Sequence, residues 1–202
     1  MSFDDGNLAY QIEPLEEIIG GKVVMMAPAS VNHNRINKNI SRIFDDHFRG
    51  KQCEYLIEAG LYLTADEDEY IPDGMVVCDP EKVKGDSGVY GVPDLVVEIL
   101  SSSTARYDKG RKKDTYERFG VREYWIVDPL SLSLEQYVLE NGKFTLRDVY
   151  HEYPSSVLSE MKEKDRAAIV TEFPCATFDG LTVRLDDVFG RVTPQYRKGA
   201  AT

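Results

Sequence analysis

The sequence predicts an α/β fold, a mixed central β-sheet flanked by helices with extra antiparallel strands. Three observations carry this. Pro93-Asp94-Leu95-Val96-Val97-Glu98-Ile99-Leu100-Ser101 is the densest apolar run of the chain and reads as a buried central strand. A second apolar run, Glu123-Tyr124-Trp125-Ile126-Val127, follows it across a helical segment, Tyr107 to Phe119, as in a crossover between neighbouring strands. Ser133 to Leu139 and Lys143 to Val149, joined by Glu140-Asn141-Gly142, then form a hairpin.

The 202 residues suit one well-cored domain, assigned to residues 1–192, with residues 193–202 as a loose tail. Residues 1 to 20 are acidic and weakly patterned, and the start carries neither a basic nor an apolar region of a secretory signal. Gly20-Gly21 is a turn before a strand over Lys22 to Ala27. Ser30 caps an amphipathic helix from Val31 to Phe48, with Ile36, Ile40, Ile43, Phe44 and Phe48 at helical spacing and Gly50 closing it. His33 and Asn37 share the apolar stripe, so its first turns are polar on the inward side.

Strands follow over Cys53 to Glu58 and Leu61 to Thr64. The acidic run Ala65 to Glu69 reads as a solvated hairpin tip, and Tyr70 to Cys78 as a strand whose Pro72 marks its beginning or an edge. Residues 79 to 91 read as a charged loop. Beyond the hairpin, Met161 to Ala168 is charged, Phe178 to Leu185 is a late strand, and Asp186 begins a short helix.

No apolar run approaches the roughly 20 residues of a bilayer span. Cys53, Cys78 and Cys175, odd in number and far apart, read as reduced thiols of a cytoplasmic protein, with no CxxC pair for zinc. A net charge of -11 argues against broad adhesion to nucleic acid while leaving room for a local basic site.

A carboxylate inside a central strand is costly unless it is paired or binds a metal, which makes Glu98 the first residue to explain. Alternation puts Glu98 on a face with Val96 and Leu100, and Asp73 on a face with Met75 and Val77. If these strands are neighbours, Asp73 and Glu98 lie side by side and supply the two hard oxygen ligands that suit Mg²⁺. In the following helix, Lys112 lies on a stripe with Tyr116 and Phe119, and Asp108 stands one turn earlier. An ammonium on a buried stripe is sensible when it faces carboxylates or phosphate. Arg106, Lys109, Arg111 and Lys113 make this the most basic window of the chain, either a phosphate contact or a solvated helix face.

Pro72-Asp73 and Glu98 resemble the PD…(D/E)xK pattern of restriction-endonuclease-like nucleases. The block from Pro93 to Ser101, with Thr104, Asp108, Lys112, Tyr116, Gly120-Val121 and Glu123 to Pro129, is similar to the Uma-type restriction endonucleases. Gly21 to Met26 before His33, and Leu181 to Val183 near Leu185 and Phe189, extend the likeness over roughly residues 20 to 190. The resemblance implies a metal-dependent phosphodiesterase fold and no particular substrate; the leading reading is a Mg²⁺-dependent endonuclease acting on DNA, with Mn²⁺ as substitute and, by analogy, a homodimer, and hydrolysis of another substrate by the same metal chemistry stands beside it. Leu100 stands where (D/E)xK carries its lysine, and the Uma-type pattern takes that lysine from the following helix, as Lys112.

The implied site is Asp73, Glu98 and the Ile99 carbonyl on the metal, with Lys112 orienting the attacking water or stabilising developing charge. His33, Asn37, Asp94, Asp108 and Tyr116 are candidate substrate or supporting contacts. Asp94 also reads as a strand start accepting backbone hydrogen bonds, His33 as a core or capping histidine, and Glu98 with Lys112 as a plain structural ion pair. A different class of function, a degenerate nuclease fold serving as a binding or assembly module, is favoured by the acidic balance.

Overall fold

The computed structural model describes residues 16–26, 28–63 and 68–193. Residues 1–15, Ala27, 64–67 and 194–202 lie outside the described set, and with them much of the acidic run 65–69 and the tail.

In chain order, β1 (Glu16–Ile18) and β2 (Val23–Met25) precede helix α1 (Val31–Phe48). Then come β3 (Glu54–Ile57), β4 (Leu61–Tyr62), β5 (Gly74–Val77), β6 (Val89–Tyr90) and β7 (Leu95–Ile99). After β7 the chain winds through α2 (Ala105–Tyr107), a π-helical turn (Asp108–Lys112) and α3 (Lys113–Phe119). The remainder is β8 (Glu123–Asp128), β9 (Ser133–Glu140), β10 (Lys143–His151), α4 (Ser155–Glu160), α5 (Glu163–Arg166), β11 (Glu172–Pro174), β12 (Thr182–Arg184) and α6 (Leu185–Val188).

Six strands form the central sheet in the order β10-β9-β8-β7-β5-β3. Only β7 and β8 run parallel, joined by the helical crossover that parallel neighbours require; the other pairs are antiparallel. Both faces of β7 are covered, which explains its unbroken apolar run. On one face Leu95, Val97 and Ile99 pack with Ile36, Ile40 and Phe44 of α1, and with Trp125, Phe173, Val183 and Leu185. On the other, Val96 packs with Met75, Val77, Tyr116, Tyr124 and Ile126.

The second face carries two additions beyond the sequence reading, which places the Gly20-Gly21 turn and the strand after it but no strand before it. Glu16–Ile18 pairs with Val23–Met25 through Gly20-Gly21, whose positive φ values of 61° and 68° give a tight primed turn that glycine alone adopts without cost. The segment expected as a plain loop, residues 79–91, folds into two short 3₁₀ turns, and its end, β6, pairs in parallel with β4. Asp79 caps the first turn through the Glu81 amide, and Lys82 Nζ donates to the Val92 carbonyl. Within the acidic run, Asp68 and Glu69 are engaged: Asp68 accepts the Gly20 and Gly21 amides and the Tyr70 hydroxyl, and Glu69 accepts the Tyr62 hydroxyl.

The α1 face holds a second buried strand carboxylate. Glu123 accepts Trp125 Nε1 and Gln136 Nε2 at 2.7 Å each on one oxygen, and the Thr177 amide and Cys175 thiol on the other. Four donors from three segments satisfy the charge without a cation and tie residues 175–177 to the sheet.

The expectation of three reduced thiols needs correction. β3 and β5 pair Glu54 with Val77, so the next position outward brings Cys53 opposite Cys78, with Cα atoms 3.9 Å apart, and the two form a disulfide. Sequence separation concealed a pairing that antiparallel register creates. Cys175 alone is free and buried. The inference of a reducing compartment loses its ground with the pairing. Among the described residues no helix is long and apolar enough to cross a membrane.

The disulfide closes a loop across 25 positions of sequence, which chain-entropy arguments value at about 3 kcal/mol. Thiol titration of protein denatured without reductant is expected to find one free thiol per chain, and reduction should lower the stability measured by urea unfolding. Three titratable thiols would show that the pair does not form.

Candidate active site

The candidate site lies where β7 ends, between the first turns of α1 and the π-helical turn. The antiparallel register of β5 with β7 pairs Gly74 with Val97, and one step further brings Asp73 opposite Glu98. Asp73 precedes β5, so its side chain is free of strand alternation and reaches across the end of the sheet to α1. Asp73 Oδ1 lies 2.9 Å from His33 Nε2, and Oδ2 accepts the Ile99 amide at 2.6 Å.

Ser30 caps α1 by accepting the His33 amide, which sets the first turn beside Asp73. Asn37, one turn on, donates Nδ2 to the Asp73 carbonyl at 2.8 Å and accepts the Tyr55 hydroxyl through Oδ1 at 3.2 Å. Tyr55 lies over Gly74, where a Cβ would stand 1.7 Å from its hydroxyl. A glycine after Asp73 is therefore required by this close approach.

Glu98 faces the crossover helix. Its Oε1 accepts Lys112 Nζ at 3.1 Å and the Tyr116 hydroxyl at 2.9 Å. Lys112 is 1% exposed and meets two further carboxylates, Glu17 Oε1 at 2.9 Å and Asp108 Oδ1 at 3.4 Å. The π-helical turn spans Asp108 to Lys112 and buries both ends, and such turns recur at functional positions.

Glu17 is the residue that the sequence reading missed. It stands in the acidic N-terminal stretch where no strand was expected, yet it is 1% exposed and also accepts the Ile71 amide. The signal was there: Glu16 to Ile19 and Lys22 to Met26 flank Gly20-Gly21 as a hairpin does.

Other expected residues are placed elsewhere. Asp94 sits at the opposite end of β7, where Oδ2 accepts the Cys78 amide and Oδ1 pairs with Arg122. Lys109 pairs with Glu135 of β9, and the Lys113 ammonium lies 3.8 Å from the Tyr137 ring centroid. Half of the basic window is thus engaged with β9, while Arg106 and Arg111 are exposed.

Burial dominates the electrostatics. It pushes Glu98 well above the ordinary carboxylate range despite Lys112, and Asp108 up to about 6 against the same opposing pull. Burial pulls Lys112 down, but Glu98, Glu17 and Asp108 outweigh it and hold the ammonium charged. For His33, burial also pulls down, and the hydrogen bond and charge of Asp73 more than offset it, leaving the imidazole raised. Neither Asp108 oxygen, nor His33 Nδ1, has a hydrogen-bond partner among the described residues.

These shifts have one sign. A folded-state pKa raised above its unfolded value contributes stability that is complete below the unfolded pKa and lost as pH rises through the folded one. The cation-free protein is therefore expected to lose stability as pH rises from about 4 to about 6, where Asp108 releases its proton, and further above about pH 6.5, where His33 does. Asp108→Asn should remove much of the Asp108 share, raising stability by on the order of 2 kcal/mol at pH 8 with little effect at pH 4. Urea unfolding across this range checks it; an equal effect of the variant at both pH values would contradict it.

Comparison with known proteins agrees with this architecture. Residues 10–164 match the family described as "Uma2: Putative restriction endonuclease". Two curated relatives, both from Synechocystis, are the uncharacterized proteins sll1609, 32% identical over 124 residues, and slr1290, 31% identical over 123. Each alignment covers 60% of this chain, with 70% and 64% of the respective relative. A crystal structure from Anabaena variabilis, titled a putative nuclease belonging to DUF820, superposes with a TM-score of 0.64. It covers 88% of this chain and 90% of that one at 17% identity, and so shares the fold. On the match across residues 10–164, the chain belongs to the Uma2 family.

Proposed function

We propose that this protein is a Mg²⁺-dependent endonuclease that hydrolyses phosphodiesters, with DNA as substrate. The observation that carries the reading is a charge imbalance. Glu17, Glu98 and Asp108 are buried around the single ammonium of Lys112, and Asp73 is buried nearby against the His33 imidazole. Buried carboxylates in excess of their cations are relieved either by protons, as the raised Glu98 and Asp108 show for the cation-free protein, or by a bound cation, which a divalent ion would supply.

The residues fit a hard divalent ion. All four carboxylates offer oxygen, and Asp108 is held loosely, with the Lys112 ammonium 3.4 Å from Oδ1. Among the described residues no three ligating side chains converge as a ready-made shell. Mg²⁺ does not need one, since it keeps several waters and takes one or two protein carboxylates. Asp73 and Glu98, with the Ile99 carbonyl, would hold it. Bound there, the metal supplies charge stabilisation at a phosphoryl oxygen and a water acidic enough to attack near neutral pH.

The chain's own groups account for the rest. His33 and the Ile99 amide hold the Asp73 carboxylate in place, and Asn37 anchors its backbone. Tyr116 fixes the rotamer of Glu98. Lys112 presents an ammonium to the negative charge that develops on the phosphate, or orients the attacking water. The exposed Arg106 and Arg111 supply local positive charge, which an acidic protein needs to approach DNA. Cleavage of both strands of a duplex asks for two such sites, and a homodimer would provide them.

A second reading rests on a specific observation as well. The pairing of Lys112 with Glu17 and Glu98 can stand alone as a structural ion-pair network, which suits a binding or assembly module. Plasmid nicking with Mg²⁺ or Mn²⁺ separates the two. Asp73→Ala, Glu98→Ala and Lys112→Ala should each lower cleavage by at least about a hundredfold. Cleavage that survives Glu98→Ala would place the site elsewhere. Absence of Glu98-dependent metal binding in calorimetry would favour the binding module.

A further inference from the structure

We propose that Glu17 is a positioning residue that holds the Lys112 ammonium in the site while Glu98 turns its oxygens to the metal. The inference rests on the reading above that this site takes a divalent cation, and it goes beyond that reading by assigning a role to the N-terminal hairpin.

In the structure Lys112 leans on Glu98, the same carboxylate proposed to bind the ion, at 3.1 Å. An ammonium on that carboxylate competes with any cation for it. Lys112 therefore needs a second anchor if the site is to load without expelling its own lysine. Glu17 is that anchor. Its Oε1 is slightly nearer, at 2.9 Å, and is itself held by the Ile71 amide at 2.8 Å. Asp108 is further, at 3.4 Å, and its oxygens lack the donors that would fix them.

The hairpin is fastened in a way that suits this task. Ile18 exchanges backbone hydrogen bonds with Glu69, Ile19 is buried in the core of the crossover face, and Asp68 accepts the amides of Gly20 and Gly21. The Arg111 guanidinium, from the same π-helical turn as Lys112, occupies the space where a Gly20 Cβ would stand. Glu17 and Lys112 are thereby registered to each other through contacts of the hairpin that leave the β5 and β7 carboxylates untouched.

The test is a double-mutant cycle read by Mn²⁺ calorimetry on the full chain. Glu17→Gln keeps an oxygen for the Ile71 amide and removes the charge that draws Lys112 off Glu98. It should weaken Mn²⁺ binding by about tenfold when Lys112 is present, and by less than about threefold in the Lys112→Met background, where no ammonium competes for Glu98. Glu17→Asp keeps the charge on a shorter stem, and serves as the second variant should Glu17→Gln fold poorly; it should bind more tightly than Glu17→Gln and more weakly than wild type. Thermal melts by circular dichroism establish that each variant is folded. An equal loss in both backgrounds would make Glu17 a plain charge or ligand and overturn the proposal, as would no loss in either. Wild-type protein that takes up no Mn²⁺ would remove the metal-dependent reading and this proposal with it, whereas metal uptake without coupling removes this proposal alone.

Discussion

The structure turns on one buried ammonium. Removing Lys112 from water costs several kcal/mol, and the chain offsets this by bringing carboxylates to it from three elements: Glu17 from the N-terminal hairpin, Glu98 from the central strand, and Asp108 from its own π-helical turn. Each of these elements is placed for other reasons as well. β7 is the core of the sheet, the crossover helix connects parallel strands, and the hairpin shields Ile19 and Tyr70. The lysine converts three separate packing solutions into one constellation, and leaves negative charge over.

The two buried glutamates of the parallel pair show how differently such a charge can be accommodated. Glu123 begins β8 and faces α1, where four neutral donors, including the Trp125 indole and the Thr177 amide, satisfy both its oxygens. It is a tie between the sheet and the C-terminal segment. Glu98 ends β7 and faces the opposite side, among other carboxylates and a cation. A carboxylate surrounded by fixed neutral donors has little left to bind, whereas one that shares an ammonium with two other carboxylates can exchange partners. The pairing of Asp73 with His33 has the same character.

Much of this was legible without coordinates. Apolar runs and their spacing identified α1, β7, β8 and the β9–β10 hairpin, because buried strands and amphipathic helices carry their environment in their composition. Glu98 and Lys112 stood out as charges in buried patterns, and Ser30 as a cap. Residues without such a contrast were missed. Glu17 is one acidic residue among several in an acidic stretch, and only tertiary contact distinguishes it. Asp68 and Glu69 looked solvated for the same reason. Lys109 and Lys113 looked like a phosphate patch because the partners that engage them, Glu135 and Tyr137, lie on β9. Asp94 occupies the same strand face as Glu98 by alternation, but the other end of the strand, and alternation does not encode which end meets the helix termini.

The sequence by itself determined the fold class, the family resemblance, and the conclusion that a carboxylate and a lysine on inward faces must meet, since period and burial are local properties of the chain. The tertiary structure alone decided three things. It paired Cys53 with Cys78, because register between β3 and β5 is a non-local choice. It turned Asp73 across the sheet to His33, because a residue just outside a strand escapes its alternation. And it brought Glu17 to Lys112 across 95 positions, a contact that depends on where a short hairpin docks and leaves no periodic trace in the sequence.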